Sequence, residues 1–160
     1  MDIAASEYSI RPVQPGDAEI VARHRALMFN DMNPLSESAF DQLFQSSIPW
    51  FERLLIDGHY VGWLTLHAGA IVSGGGILLR EQGPVPGCPR TGLWGHVVNV
   101  YTAPEHRGRG LARTLMNHIV AWAAEKKLDR LTLTASKDGA SLYRSIGFTP
   151  TADMELLPKT

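Results

Sequence analysis

A β-branched run, Val97-Val98-Asn99-Val100-Tyr101-Thr102, breaks at Pro104 and reopens as a glycine-punctuated helix start, Arg107-Gly108-Arg109-Gly110-Leu111-Ala112. This order of strand, loop and helix N-terminus builds an anion site. The N–H groups of a helix's first turn lack carbonyl partners and carry the positive end of the macrodipole, so a diphosphate can collect several at once. Gly108 and Gly110 remove side chains where a ligand must approach the main chain, while Arg107 and Arg109 add positive charge. Two other readings compete. The segment could be only a tight connection, or it could be a dinucleotide-binding turn, because Gly108-x-Gly110 opens a helix and Asp129 lies downstream. The dinucleotide reading fails in detail. The third glycine position is Arg113, and Asp129 comes before the run Leu131-Thr132-Leu133-Thr134, at whose end a ribose carboxylate should sit.

Around this segment the periodicities predict a regular alternation. Tyr8 to Val13 reads as a first strand and Pro15-Gly16-Asp17 as a turn ending in a helix cap. Ile20, Val21, His24, Leu27, Met28 and Met32 recur at helical spacing. A second helix follows with Phe40, Leu43, Phe44, Trp50, Phe51, Leu54 and Leu55, kinked or divided at Pro49 and ended by Gly58. His59 to His67 and Ala70 to Leu79 form a hairpin about Gly69, and a Gly/Pro-rich loop leads into the strand Leu93 to Thr102. A helix from Arg107 to about Lys127, a strand over 130–134, a short helix over 138–146 and a final extended stretch from Phe148 to Leu156 complete the chain. With 160 residues, 44% hydrophobic, and no repeat or linker, residues 1–160 are expected to form a single domain.

The pattern Arg-x-x-Gly-x-Ala at Arg107, Gly110 and Ala112 is joined downstream by Leu142-Tyr143-Arg144-Ser145-Ile146-Gly147-Phe148. Together, in this order and at this distance, the two motifs resemble those of the GCN5-related N-acetyltransferases (GNAT). The resemblance covers residues 93 to 150 in detail and the rest in outline. It implies an α/β (α+β) acetyltransferase fold, with a mixed, mostly antiparallel sheet splayed between the strands ending near Thr102 and Thr134 and flanked by helices. It implies acetyl-CoA as cofactor, its pyrophosphate held at Arg107, Gly108, Arg109, Gly110, Leu111 and Ala112. Where strands part, backbone groups lose partners and the pantetheine amides can replace them. The comparison puts those contacts at Val100 and Thr102.

The same resemblance implies the chemistry. The N–H of Val100 would donate to the thioester oxygen, provided a bulge frees it, and Tyr143 corresponds to the tyrosine that commonly serves as general acid toward the sulfur. Read without the motif, Tyr143 beside Leu142 and Ile146 would be a core residue with its hydroxyl satisfied. Seven residues before it many relatives carry a cofactor-binding asparagine; here the position is Ser136. His96, eleven residues before Arg107, stands where histone-acetylating relatives carry a catalytic glutamate, and is the candidate base against the alternative of a structural strand histidine. Deprotonating an alkylammonium of pKa about 10.4 with a histidine of about 6.5 is uphill by roughly 5 kcal/mol, so the cleft must lower the amine's pKa or His96 must act after attack. Arg25 and Asp31 read as solvated surface residues in preference to partners for a substrate's charges, and Met28 and Met32 as core.

Composition narrows the partners. A formal charge of −1 with interspersed signs supplies no basic surface for nucleic acid and no polybasic face for lipid. No run reaches the roughly 18 apolar residues that span a bilayer, and Met1 to Glu7 lack the regions of a secretory signal. The single Cys88 forms no intrachain disulfide and lies in a loop-like segment without His or Lys beside it. A cytoplasmic location is expected. His59, His67, His106 and His118 show no metal-ligand spacing, and no metal is implied. The expected activity is direct acetyl transfer to a primary amine of a small molecule. A protein or peptide amine and a noncatalytic acyl-CoA-binding regulatory module are the alternatives, and a homodimer is compatible with either. The two N-terminal helices and the 81–92 loop are expected to roof the acceptor pocket.

Overall fold

The computed structural model describes residues 7–87 and 90–159; Cys88 lies outside them, as do the first six residues. In chain order the elements are β1 (Tyr8–Pro12), a 3-10 turn (Pro15–Asp17), α1 (Ala18–Met32), α2 (Glu37–Asp57), β2 (Tyr60–His67), β3 (Ala70–Glu81), β4 (Leu93–Thr102), a second 3-10 turn (Pro104–His106), α3 (Leu111–Glu125), β5 (Arg130–Leu133) and α4 (Ala140–Ile146). The five strands form one sheet in the order β1-β2-β3-β4-β5. Every neighbouring pair is antiparallel except β4 and β5, which are parallel. The parallel pair requires a crossover, and α3 supplies it.

Each face of the sheet carries its own apolar cluster. On one side Val21, Ala22 and Ala26 of α1 pack with Phe44, Phe51 and Leu54 of α2 and Tyr60 of β2. On the other, Leu115, Met116 and Ile119 of α3 pack on Trp63, Ile77 and Val97, and α4 adds Tyr143 and Ile146 at the margin. Two glycines in β3 let both helices approach. A Cβ at Gly74 would lie 3.0 Å from the His24 ring on α1, and one at Gly75 would lie 2.9 Å from Leu115 on α3.

Local chemistry explains most boundaries. The Ser36 hydroxyl accepts the Ala39 N–H at 3.1 Å to start α2, and Gly58 ends it at φ +73°, a conformation open to glycine at little cost. Pro49 does not divide α2. Phe44 before it and Phe51 and Leu54 after it are buried in one cluster, so packing outweighs the lost backbone bond. Asp17 stands at the N-cap of α1 but does not cap it. Its carboxylate turns back to the Arg11 guanidinium at 2.7 and 3.0 Å and to the Gln14 N–H.

Three expectations are corrected. Residues 149–159 form no regular element, so the final strand is absent from the described chain. Pro150 lacks a donor there, and Met154, Leu156 and Leu157 stay exposed with no surface to reward pairing. Helix α3 begins at Leu111 rather than Arg107, because Gly108 and Gly110 adopt φ +74° and +77°. Met32 is 52% exposed rather than core, since the final turn of α1 projects beyond the sheet-facing cluster.

Candidate functional site

The β4–β5 ladder runs from Trp94↔Arg130 to Val97↔Leu133 and stops, while β4 continues five residues further to Thr102. Over 98–102 the outer edge of β4 is therefore unpaired by any strand. Its inner edge is irregular: Gly76 pairs Val98 and Gly74 pairs Tyr101, so Gly75 faces both Asn99 and Val100. This is a β-bulge, and Asn99 sits in it at φ +61°. Asparagine tolerates that conformation better than other residues with a Cβ. The Ala103 N–H donates to Val72 and the Tyr101 carbonyl accepts from Ser73, both toward β3. By alternation, the main-chain groups of Val100 and Thr102 point into the fork between β4 and β5.

The fork opens toward the first turn of α3. That turn has the left-handed Gly110 as its N-cap and no side-chain cap, so its leading N–H groups are free to meet an anion. Leu111 buries its side chain and leaves its backbone at the turn, with Ala112 following. The two arginines hold the loop itself. Arg107 donates from Nε to the Thr102 carbonyl at 2.8 Å and pairs with Asp31 at the end of α1. Arg109 reaches the Tyr8 hydroxyl at 3.0 Å, which in turn meets His106 Nδ1 at 3.0 Å. Asp31 is an exposed surface charge, as expected, and also the ion-pair partner of the loop.

Across the fork, the segment after β5 carries the other candidates. Ser136 Oγ accepts the Gly139 N–H at 3.1 Å and its carbonyl accepts the Ala140 N–H, which fixes the turn into α4 while leaving the hydroxyl proton available. Tyr143 is half-buried on α4. Its ring stacks against the Gly139 backbone and meets Phe148 edge-on at 6.1 Å. Burial raises its pKa, and its hydroxyl has no hydrogen-bond partner among the described residues. His96 lies on β4 just before the fork, with Nδ1 2.7 Å from the Thr132 hydroxyl. Burial first, and the Arg80 charge second, lower its pKa, outweighing Asp153. Both effects favour the neutral ring, and its Nε2 is unbonded among the described residues.

The sequence model of the Acetyltransferase (GNAT) family matches residues 24–148. The chain belongs to the GNAT family. Among solved structures, the GCN5-related N-acetyltransferase of Ralstonia eutropha JMP134 superposes with a TM-score of 0.87 at 32% identity, covering 94% of this chain and 98% of that one. A predicted acetyltransferase of Clostridium acetobutylicum, solved with acetyl-CoA, gives 0.84 at 23% identity, covering 94% and 96%. An aminoglycoside acetyltransferase from an uncultured soil metagenomic sample gives 0.71 at 16% identity, covering 96% and 99%, a likeness of fold alone. No curated protein matches significantly by sequence. No helix among the described residues is long and apolar enough to cross a membrane, and no group of three potential metal ligands occurs there.

Two groups in this GNAT site escape sequence reasoning. Arg25, expected at the solvated surface, is half-buried over the rings of Phe29 and Trp50, at 5.0 and 5.2 Å, and donates to Asn99 Oδ1 at 3.1 Å. Asn99 is 2% exposed and its Nδ2 is buried without a hydrogen-bond partner. The one available signal was an asparagine inside a β-branched run, a residue type that suits a bulge. The 82–92 loop is also more firmly held than its composition suggests. Buried Asp129 accepts the N–H groups of Thr91 and Gly92, the latter at 2.7 Å, and pins the loop to the α3–β5 corner. Burial opposes its charge, yet those N–H donors and Arg90 hold its carboxyl below the usual range.

Proposed function

We propose that this GNAT acetyltransferase moves the acetyl group of acetyl-CoA directly to a primary amine of a small molecule. The observation that carries the reading is the juxtaposition of an unpaired, bulged β4 edge with the uncapped first turn of α3. An amide-bearing arm fits the first and a diphosphate the second, and both belong to one continuous ligand. Bound there, acetyl-CoA supplies an activated carbonyl and a thiolate leaving group. The Val100 N–H, held by the bulge, stabilises the negative charge that develops on the carbonyl oxygen without reorganising. His96 Nε2 takes the proton that the amine loses as the C–N bond forms. Tyr143 gives a hydrogen bond, or its proton, to the sulfur as the C–S bond breaks. Arg107, Arg109 and Gly108 shape the phosphate loop, Thr102 and Ser136 offer polar groups to the arm, and Leu111 and Ala112 present backbone N–H groups.

A small acceptor is favoured by the balanced surface charge and by α1, which packs on β4 beside the fork and carries α2 on its other side. The test is acetyl-CoA consumption with polyamines, amino acids, aminoglycosides and peptides, the products identified by mass spectrometry. Acetylated small amines are the expected result. Peptide modification with no small amine above background would make the acceptor a protein, and coenzyme A binding without turnover would make the protein a binding module.

A further inference from the structure

Arg25 is a half-buried cation with no carboxylate opposite it among the described residues. Among the described residues, the ion pairs of the neighbourhood are Arg11–Asp17 and Arg107–Asp31, and neither acid reaches Arg25. Cation–π contacts with Phe29 and Trp50 and the bond to Asn99 Oδ1 offset part of the burial cost but supply no negative formal charge. Arginine has only donors, so the atom of Asn99 that it meets must be the amide oxygen, which turns the NH2 group away. That NH2 is buried and faces the Tyr60 hydroxyl, outside good hydrogen-bond geometry. A half-buried cation without a counter-ion lacks an anion, and the part of its guanidinium left open to solvent is where one can reach it.

The position identifies whose anion it is. Asn99 directly precedes Val100, so the guanidinium that it meets lies beside the acyl carbonyl rather than at the phosphate end of the fork, which faces the first turn of α3. Val100 packs on the α3 face, whereas the Asn99 side chain reaches Arg25 under α1. We propose that Arg25, held in place by Asn99 Oδ1, forms a carboxylate subsite next to the transfer centre, filled by a carboxylate of the amine acceptor, so that the substrates are amino-acid-like. The inference rests on the acetyltransferase reading above and adds the acceptor's class to it. A guanidinium is suited to a carboxylate because it offers parallel N–H groups to its two oxygens.

The test compares leucine, methionine, phenylalanine and glutamate with their α-carboxamides, by thiol release from acetyl-CoA. The acids should exceed the carboxamides in kcat/KM by about ten- to a hundredfold, mainly through KM. In Arg25→Gln the ratio should fall toward one, and Arg25→Lys, which keeps the charge and loses the fork, should restore only part of it. Calorimetric titration of each acid into the coenzyme A-loaded protein should show binding that weakens by the same factor in Arg25→Gln. That measurement remains decisive if turnover is slow, and circular dichroism shows whether each variant is folded. Equal turnover of acids and carboxamides overturns the subsite and leaves acetyl transfer standing. Carboxylate binding without thiol release above the acceptor-free rate overturns acetyl transfer to these amines and leaves the subsite standing. Replacing acetyl-CoA with succinyl-CoA tests the other source of a carboxylate: Arg25-dependent use of succinyl-CoA with carboxamide acceptors would move the anion to the acyl group and overturn the acceptor assignment.

Discussion

Tyr143 and His96 stand on opposite arms of the fork, and each has one titrating atom left free. For Tyr143→Phe the ring, its edge contact with Phe148 and its packing near Gly139 survive, while the donor is lost. The single-turnover rate should fall by about ten- to a thousandfold with little change in coenzyme A affinity. An unchanged rate removes the hydroxyl from the chemistry. The lowered pKa of His96 places its protonation below about pH 6.5, so kcat/KM should decline as pH falls beneath that value. In His96→Gln this acidic limb should vanish, and its persistence would assign the limb to another group. Tyr143 could be proposed from the sequence because its motif is local, a run of seven residues. Arg25 could not be: nothing on its own helix marks it as buried, since Trp50 comes from α2 and Asn99 from β4.

At the level of elements, the hairpin about Gly69 follows from turn chemistry within a few residues. The expected start of α3 falls four residues early because the left-handed Gly108 and Gly110 are counted into the helix. The bulge does not follow from local chemistry, because it is a mismatch between two strands and neither sequence alone states the register. The missing last strand failed for a related reason: extended propensity at 148–156 predicts a strand only if a partner edge rewards it. Two substitutions test elements. Gly110→Glu places a side chain at φ +77° and a carboxylate against the uncapped turn of α3, and calorimetry should show coenzyme A binding lost. Retained binding would mean that the diphosphate sits elsewhere. Asp129→Asn removes the charge that holds the Thr91 and Gly92 N–H groups, so its melting temperature should drop. The folded-state pKa of Asp129 is depressed, so its contribution is fully present above the unfolded value near pH 3.9 and is lost as pH falls through the folded one. The gap between variant and parent should therefore close in strong acid.

The whole molecule is a sheet clamped between helices on both faces, and its thinnest point is the glycine run of β3. His24 lies against it, 4% exposed, with a pKa lowered to about 4 by burial. The unfolded chain takes up this proton near pH 6.5 and the folded one does not, so stability is full above that value and is lost between about 6.5 and 4. The loss should be on the order of 3 kcal/mol by chemical denaturation, and His24→Leu should flatten it. The open margin of β4 over 98–102 has a different consequence. A sheet that a metabolite completes is unfinished whenever the metabolite is scarce, and bare strand edges recruit other chains. Amide hydrogens of Val100 and Thr102 should exchange rapidly in the free protein and slow once coenzyme A is added. Through the same linkage the protein's lifetime in solution should track the supply of its own cofactor, aggregating in its absence and keeping longest where the coenzyme is abundant.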